Sequence, residues 1–239
     1  MSTLALTPRP PGLRPVAPTW HTLLLIAFFL GLTLAGAVFQ RSVSSHATVA
    51  KEAPALAPLY LSLFLGELAL VFYVWKGGLR RSGTSVRELI GGRWGSPADV
   101  LRDLALAAAM WGAWTLVPMA WGRLFGADHA TTIEGYLPTR GFEYLLWILV
   151  SLGAGFCEEL VFRGYLMRQF SAWTRSPWTG LLLQSALFGV SHGYQGLAAC
   201  MRIAVFGLIF GLLAIWRRSL RPGMIAHALT DIMGGIFRI

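Results

Sequence analysis

Residues 142–167 read FEYLLWILVSLGAGFCEELVFRGYLM. The run is apolar and continuous, not alternating, so its pattern predicts a membrane-spanning helix and not a strand of a barrel. Into this run the chain sets Glu158, Glu159 and Arg163. Ionisable groups are costly to hold within a bilayer, so each marks a functional site by default. Two similar interruptions follow it. Phe188 and His192 lie four apart in LLLQSALFGVSHG, and His227 and Asp231 lie four apart in GMIAHALTDIMGG.

Working outward, the whole chain shares this character. Of its 239 residues 55% are hydrophobic and only 13% charged, with a mean hydropathy of +0.59. That places it in the membrane class. Seven apolar runs are legible, near 20–39, 55–75, 100–122, 142–167, 178–196, 202–216 and 222–237. The expected fold is all-α, a polytopic transmembrane bundle of about seven helices, within a range of six to eight. The last three runs are short or interrupted, which predicts that one is tilted, re-entrant or merged with a neighbour. No internal repeat is visible. The polar stretch 76–99, KGGLRRSGTSVRELIGGRWGSPAD, reads as a loop carrying a short surface helix near Val86–Ile90. A second polar stretch, 123–141, reads as a loop on the opposite face. The expected organisation is a tail at 1–19, two peripheral helices with a basic loop at 20–99, and a catalytic membrane core at 100–239.

The net charge is +9. In a soluble protein this would suggest nucleic acid as a partner; here the basic residues lie between apolar runs and report topology. With a cytoplasmic N-terminus, fourteen of the twenty Lys and Arg fall inside, among them Arg80, Arg81, Arg87, Arg217, Arg218 and Arg221. Nucleic acid is therefore excluded as a partner. Trp20, Trp75, Trp121, Trp178 and Trp216 lie near run ends and read as interfacial anchors. Cys157 and Cys200 form no CxxC or zinc-type spacing. Ala35-Gly36-Ala37 follows the first apolar run as a signal-peptide cleavage site would, but the long leader before it favours a retained helix.

The motifs allow hydrolytic chemistry. Glu159 and Arg163 share a helix face and can pair. Glu158, rotated by roughly 100° from Glu159, is left free as a general base on water. Phe188 can wall the site while His192 reaches into it. Asp231 could orient His227, which could then donate to a developing oxyanion. Gln184 and Ser185 are weaker candidates for polar lining. Glu67, in LFLGELALVF, either faces the site or bridges helices.

The order Glu-Glu-x-x-x-Arg, Phe-x-x-x-His, His-x-x-x-Asp on successive apolar runs resembles the CPBP family of CAAX-prenyl proteases and bacteriocin-processing (Abi-type) intramembrane proteases. The resemblance covers roughly residues 100–239. It implies an integral multi-pass protein of a bacterial cytoplasmic membrane, and an intramembrane endopeptidase that hydrolyses a membrane-tethered protein or peptide. CAAX-type processing, sorting of C-terminally anchored proteins and peptide or bacteriocin maturation are the branches it leaves open. By similarity Glu158 with His192 activates water, His227 and residue 231 stabilise the oxyanion, and Glu159 and Arg163 support them. The family's third motif commonly ends in Asn. An ionised Asp cannot donate a hydrogen bond, so Asp231 either carries a proton or orients His227. The expectation is chemistry without a cofactor; the alternative is zinc held by Glu158, His192 and His227. Two other classes compete with the peptidase: a non-proteolytic scaffold that regulates a partner membrane protein, and a transporter using the same residues as a proton relay.

Overall fold

A computed structural model describes residues 14–45, 56–125 and 134–238, and these form helices throughout. In chain order they are α1 (Thr19–Ser45), α2 (Ala57–Tyr73), α3 (Arg80–Ser82), α4 (Val86–Ile90), α5 (Pro97–Thr115), α6 (Val117–Phe125), α7 (Gly141–Glu158), α8 (Met167–Thr174), α9 (Pro177–Ser191), α10 (Leu197–Arg217) and α11 (Arg221–Phe237). Two π-helical segments join neighbours without a break, Val74–Leu79 after α2 and Glu159–Leu166 after α7. Five runs are long and apolar enough to cross a membrane: Thr19–Val38, Ala57–Ser82, Pro97–Leu124, Gly141–Thr174 and Leu197–Arg217. The protein is an integral multi-pass bundle, as its composition implies. The helix 142–167 continues through the π segment to Thr174, and the run 178–196 stops at Ser191. At that point His192 leaves helical geometry, and Gly193–Gln195 makes a 3-10 turn into α10. The surface helix expected near Val86–Ile90 is α4, capped by the Ser85 hydroxyl, which accepts from the Glu88 N–H.

The chain from α7 to α8 is the buried axis. Residues 159–167 are all buried, while large apolar side chains on α1, α2 and α5 face outward. In lipid the apolar effect does little to join helices, so close approach and hydrogen bonds must do it. Gly155 lies against the Met224 carbonyl and Ala228, where a Cβ would come within 2.7–2.8 Å, and this lets α7 meet α11. Gln184 donates from Nε2 to the Gly207 carbonyl at 3.0 Å and ties α9 to α10. The buried Glu143 carboxylate accepts from the N–H groups of Leu56, Thr139 and Arg140 and from the Thr139 hydroxyl, pinning the starts of α2 and α7 together.

The other end of the bundle carries the basic loop. Arg168 lies 3.6 Å from Glu88, Leu220 N–H donates to the Ile90 carbonyl, and Arg221 donates to Gly92 O. Arg217 and the Trp94 indole both donate to Asp103, each at 2.8 Å. These bonds set α4, α8 and the start of α11 at one level. Counted from it, Glu158 is ten residues along its helix and His227 six, or roughly 15 Å and 9 Å at an α-helical rise.

Candidate active site

The first motif falls where the helix changes its hydrogen-bond pattern. Glu158 closes α7, and Glu159–Leu166 is π-helical. Such π turns are rare and are frequent at functional sites. Arg163 Nη1 stands 3.2 Å from Glu159 Oε1, and both side chains are buried. The guanidinium carbon also lies 4.1 Å from the Phe188 ring centre and 5.7 and 5.9 Å from those of Phe206 and Phe210. A desolvated cation over aromatic faces gains about 2 kcal/mol. This box keeps the Arg163 charge where lipid alone would not.

Glu159 carries the arrangement onward. Its Oε1 lies 3.0 Å from His227 Nδ1. A carboxylate only accepts, so Nδ1–H donates and Nε2 is fixed as the working nitrogen. Nε2 then looks toward Glu158 Oε2 at 3.8 Å and Asp231 Oδ2 at 3.7 Å. The carboxylate that orients His227 is therefore Glu159, not Asp231. The i, i+4 spacing places Asp231 on the correct face, but at the opposite nitrogen. The Asp231 carbonyl accepts from the Trp147 indole at 2.8 Å, which locks that turn of α11 onto α7.

His192 is held separately. Its Nδ1 lies 2.8 Å from the Phe188 carbonyl, so Nδ1–H donates and Nε2 keeps its lone pair. Among the described residues no hydrogen bond or ion pair joins His192 to Glu158 or His227. Phe188 stands between them, its ring centre 5.0 Å from that of His192 and 6.2 Å from that of His227. The turn that follows approaches the cluster, with Tyr194 within electrostatic reach of Glu158 and Asp231.

Exposure grades across the cluster. Arg163, Glu159 and His227 are 0%, 1% and 6% exposed, whereas Glu158 and Asp231 keep 21% and 33%. The accessible members of the cluster are thus its two carboxylates Glu158 and Asp231. Among the described residues no three His, Cys, Asp or Glu side chains converge as a metal-holding group. Among the described residues Glu158, His192 and His227 are therefore not gathered as the ligand set a zinc ion takes.

Sequence reasoning missed Phe206 and Phe210, which wall His227 with ring centres at 4.8 and 6.0 Å. Their i, i+4 spacing on an apolar helix was a signal shared with ordinary packing. Gln184 and Ser185 are buried helix-to-helix contacts that bond each other and the Gly207 and Leu181 carbonyls, not site lining. Glu67 lies against Gly153, within electrostatic reach of Glu158, His227 and Asp231.

Residues 140–233 match the family model of the Rce1-like type II CAAX prenyl endopeptidases. That segment carries all three motifs. No curated protein and no solved structure matches the chain.

Proposed function

We propose that this membrane protein hydrolyses a peptide bond in a membrane-tethered protein by glutamate-based water activation, a reading supported by the match of residues 140–233 to the Rce1-like type II CAAX prenyl endopeptidase model. The observation that carries the mechanism is the placement of His227 Nε2 between Glu158 and Asp231, with Nδ1 committed to Glu159. Glu158 is the accessible carboxylate of the pair Glu158–Glu159 and makes no ion pair with Arg163, so it is free to take a proton.

In the proposed reaction water attacks the carbonyl carbon of the scissile bond and gives its proton to Glu158. His192 Nε2, whose lone pair is kept available, helps to align that water. The carbonyl oxygen becomes an oxyanion and accepts a hydrogen bond from protonated His227 at Nε2. Collapse breaks the C–N bond, and the proton held by Glu158 passes to the leaving amine. Asp231 faces Nε2 and holds the imidazolium in charge balance. Glu159 and Arg163 keep the ring oriented. The substrate class that fits the matched family is a prenylated protein ending in Cys-aliphatic-aliphatic-X, tethered to the bilayer by its lipid. The basic end of the bundle faces the cytoplasm in this reading.

The test compares the ends of membrane proteins in cells carrying the wild type or Glu158→Gln at matched levels. Ends present only with the wild type support the peptidase and identify its substrate. Identical sets, with a phenotype still produced by deleting the protein, would sink the reading and leave a scaffold.

A further inference from the structure

The α2–α7 interface holds two glutamates in opposite conditions. Glu143 is saturated, with four donors on its two oxygens. Glu67 is not: its Oε2 is buried and has no hydrogen-bond partner among the described residues. A buried carboxyl oxygen without a donor is expensive, and a ligand's donor is one explanation for keeping it.

Glu67 stands on the face of α2 that packs inward, in register with the buried Tyr60 and Val74. The neighbouring turn positions Leu63, Leu65 and Leu68 are exposed. Across from it is Gly153, where any Cβ would fall within 2.5 Å of Glu67 Oε2 and 3.0 Å of the Phe64 ring. The glycine therefore makes the room that the carboxyl occupies. Gly153 is five residues before Glu158 on the same helix, about 7.5 Å along its axis. Helical side chains lean toward the N-terminus, so the Glu158 carboxyl leans back toward the level of Glu67. Asp231, His227 and Cys157 complete the groups within its electrostatic reach.

We propose that Glu67 is a substrate-binding residue of this site: its free oxygen accepts an N–H of the bound peptide beside the scissile bond. The inference rests on the peptidase reading. It makes α2, which lies outside the segment matched to the family, one wall of the substrate cleft. Such an acceptor adds affinity and alignment but takes no part in the proton transfers. Gln keeps a carbonyl acceptor at the same place, whereas Ala removes it.

The experiment begins with the substrate whose cleavage is lost in Glu158→Gln cells. A peptide spanning that cut is presented in proteoliposomes to the wild type, Glu67→Ala, Glu67→Gln and Gly153→Ala. Loss of one ordinary hydrogen bond predicts that Glu67→Ala raises KM about two- to tenfold while kcat changes little. Glu67→Gln restores most of that loss. Gly153→Ala, which displaces the carboxyl, raises KM in the wild-type background and raises it less when Glu67→Ala is already present. Thermal denaturation in detergent accompanies each variant. A helix-bridging role would lower stability and leave KM unchanged, and that result overturns the inference while the peptidase stands. If Glu158→Gln loses no protein ends, the peptidase reading fails and this one falls with it.

Discussion

Tyr165 and Glu159 stand on the same π-helical segment, yet each belongs to a polar cluster of a different kind. Around Tyr165 the bonds form a closed chain. Thr22 donates to the Tyr165 hydroxyl at 2.7 Å, Tyr165 donates to His21 Nδ1 at 2.8 Å, and His21 Nε2–H donates to the Tyr73 carbonyl at 3.2 Å. The Tyr73 hydroxyl returns a bond to the His21 carbonyl, and Gln169 bonds the N–H groups of Val16 and Ala17 and the Ala17 carbonyl nearby. Around Glu159 the chain is open. Among the described residues Glu159 Oε2 and Glu67 Oε2 lack hydrogen-bond partners, and Glu158 and His227 stand apart at 3.8 Å. In an apolar bundle a satisfied network ties elements together, while an unsatisfied one keeps groups ready for a ligand at a cost in stability. The histidine at position 21 is glue between α1, the π turn after α2 and the axis helix. The histidine at 227 is the one the proposed reaction uses.

Four substitutions would break or sharpen that contrast. The largest effect is expected from Glu158→Gln, which should lower the cleavage rate about 10²–10⁴-fold, the usual contribution of a positioned acid or base. Its denaturation midpoint should stay at the wild-type value, since Glu158 makes no hydrogen bond that Gln would break. A large fall in stability would place Glu158 with the structural residues. Next, Arg163→Met leaves the Glu159 charge buried alone and should cost about 3–5 kcal/mol, read as a loss of folded protein in detergent. Met is expected to be better tolerated when Glu159→Leu accompanies it, because the uncompensated charge is then gone too. Tyr165→Phe opens the closed cluster and should cost about 1–3 kcal/mol with kcat unchanged. A matching fall in kcat would show that the two clusters are coupled through the π segment. The smallest effect is expected from Trp147→Phe, which removes one bond to the Asp231 carbonyl for about 0.5–1.5 kcal/mol. Cleavage should decline modestly as the turn bearing Asp231 loosens.

Much of this was legible before any coordinates. Hydropathy placed the spanning helices, because a continuous apolar run has one economical conformation in lipid. The spacing of Glu159 and Arg163 foretold their ion pair, and the surface helix at Val86–Ile90 was visible from its polar context. Periodicity could not reveal the π segment, since an i→i+5 turn leaves no distinct hydrophobic period over eight residues. Nor could it show that α9 stops at Ser191: Gly193 was one of many glycines, and ordinary membrane helices carry them.

The sequence by itself determined the membrane class, the helical architecture and the ionisable positions set inside apolar runs, because the cost of a charge in lipid is a property of single positions. Only the tertiary structure decided who faces whom. It gave the orientation of His227 to Glu159, turned Asp231 to the other nitrogen, enclosed Arg163 in three aromatic rings and brought Glu67 from α2 to the edge of the site. These are relations between helices. They depend on where glycines let backbones approach and on which donors reach which acceptors, and both are fixed only when the helices pack.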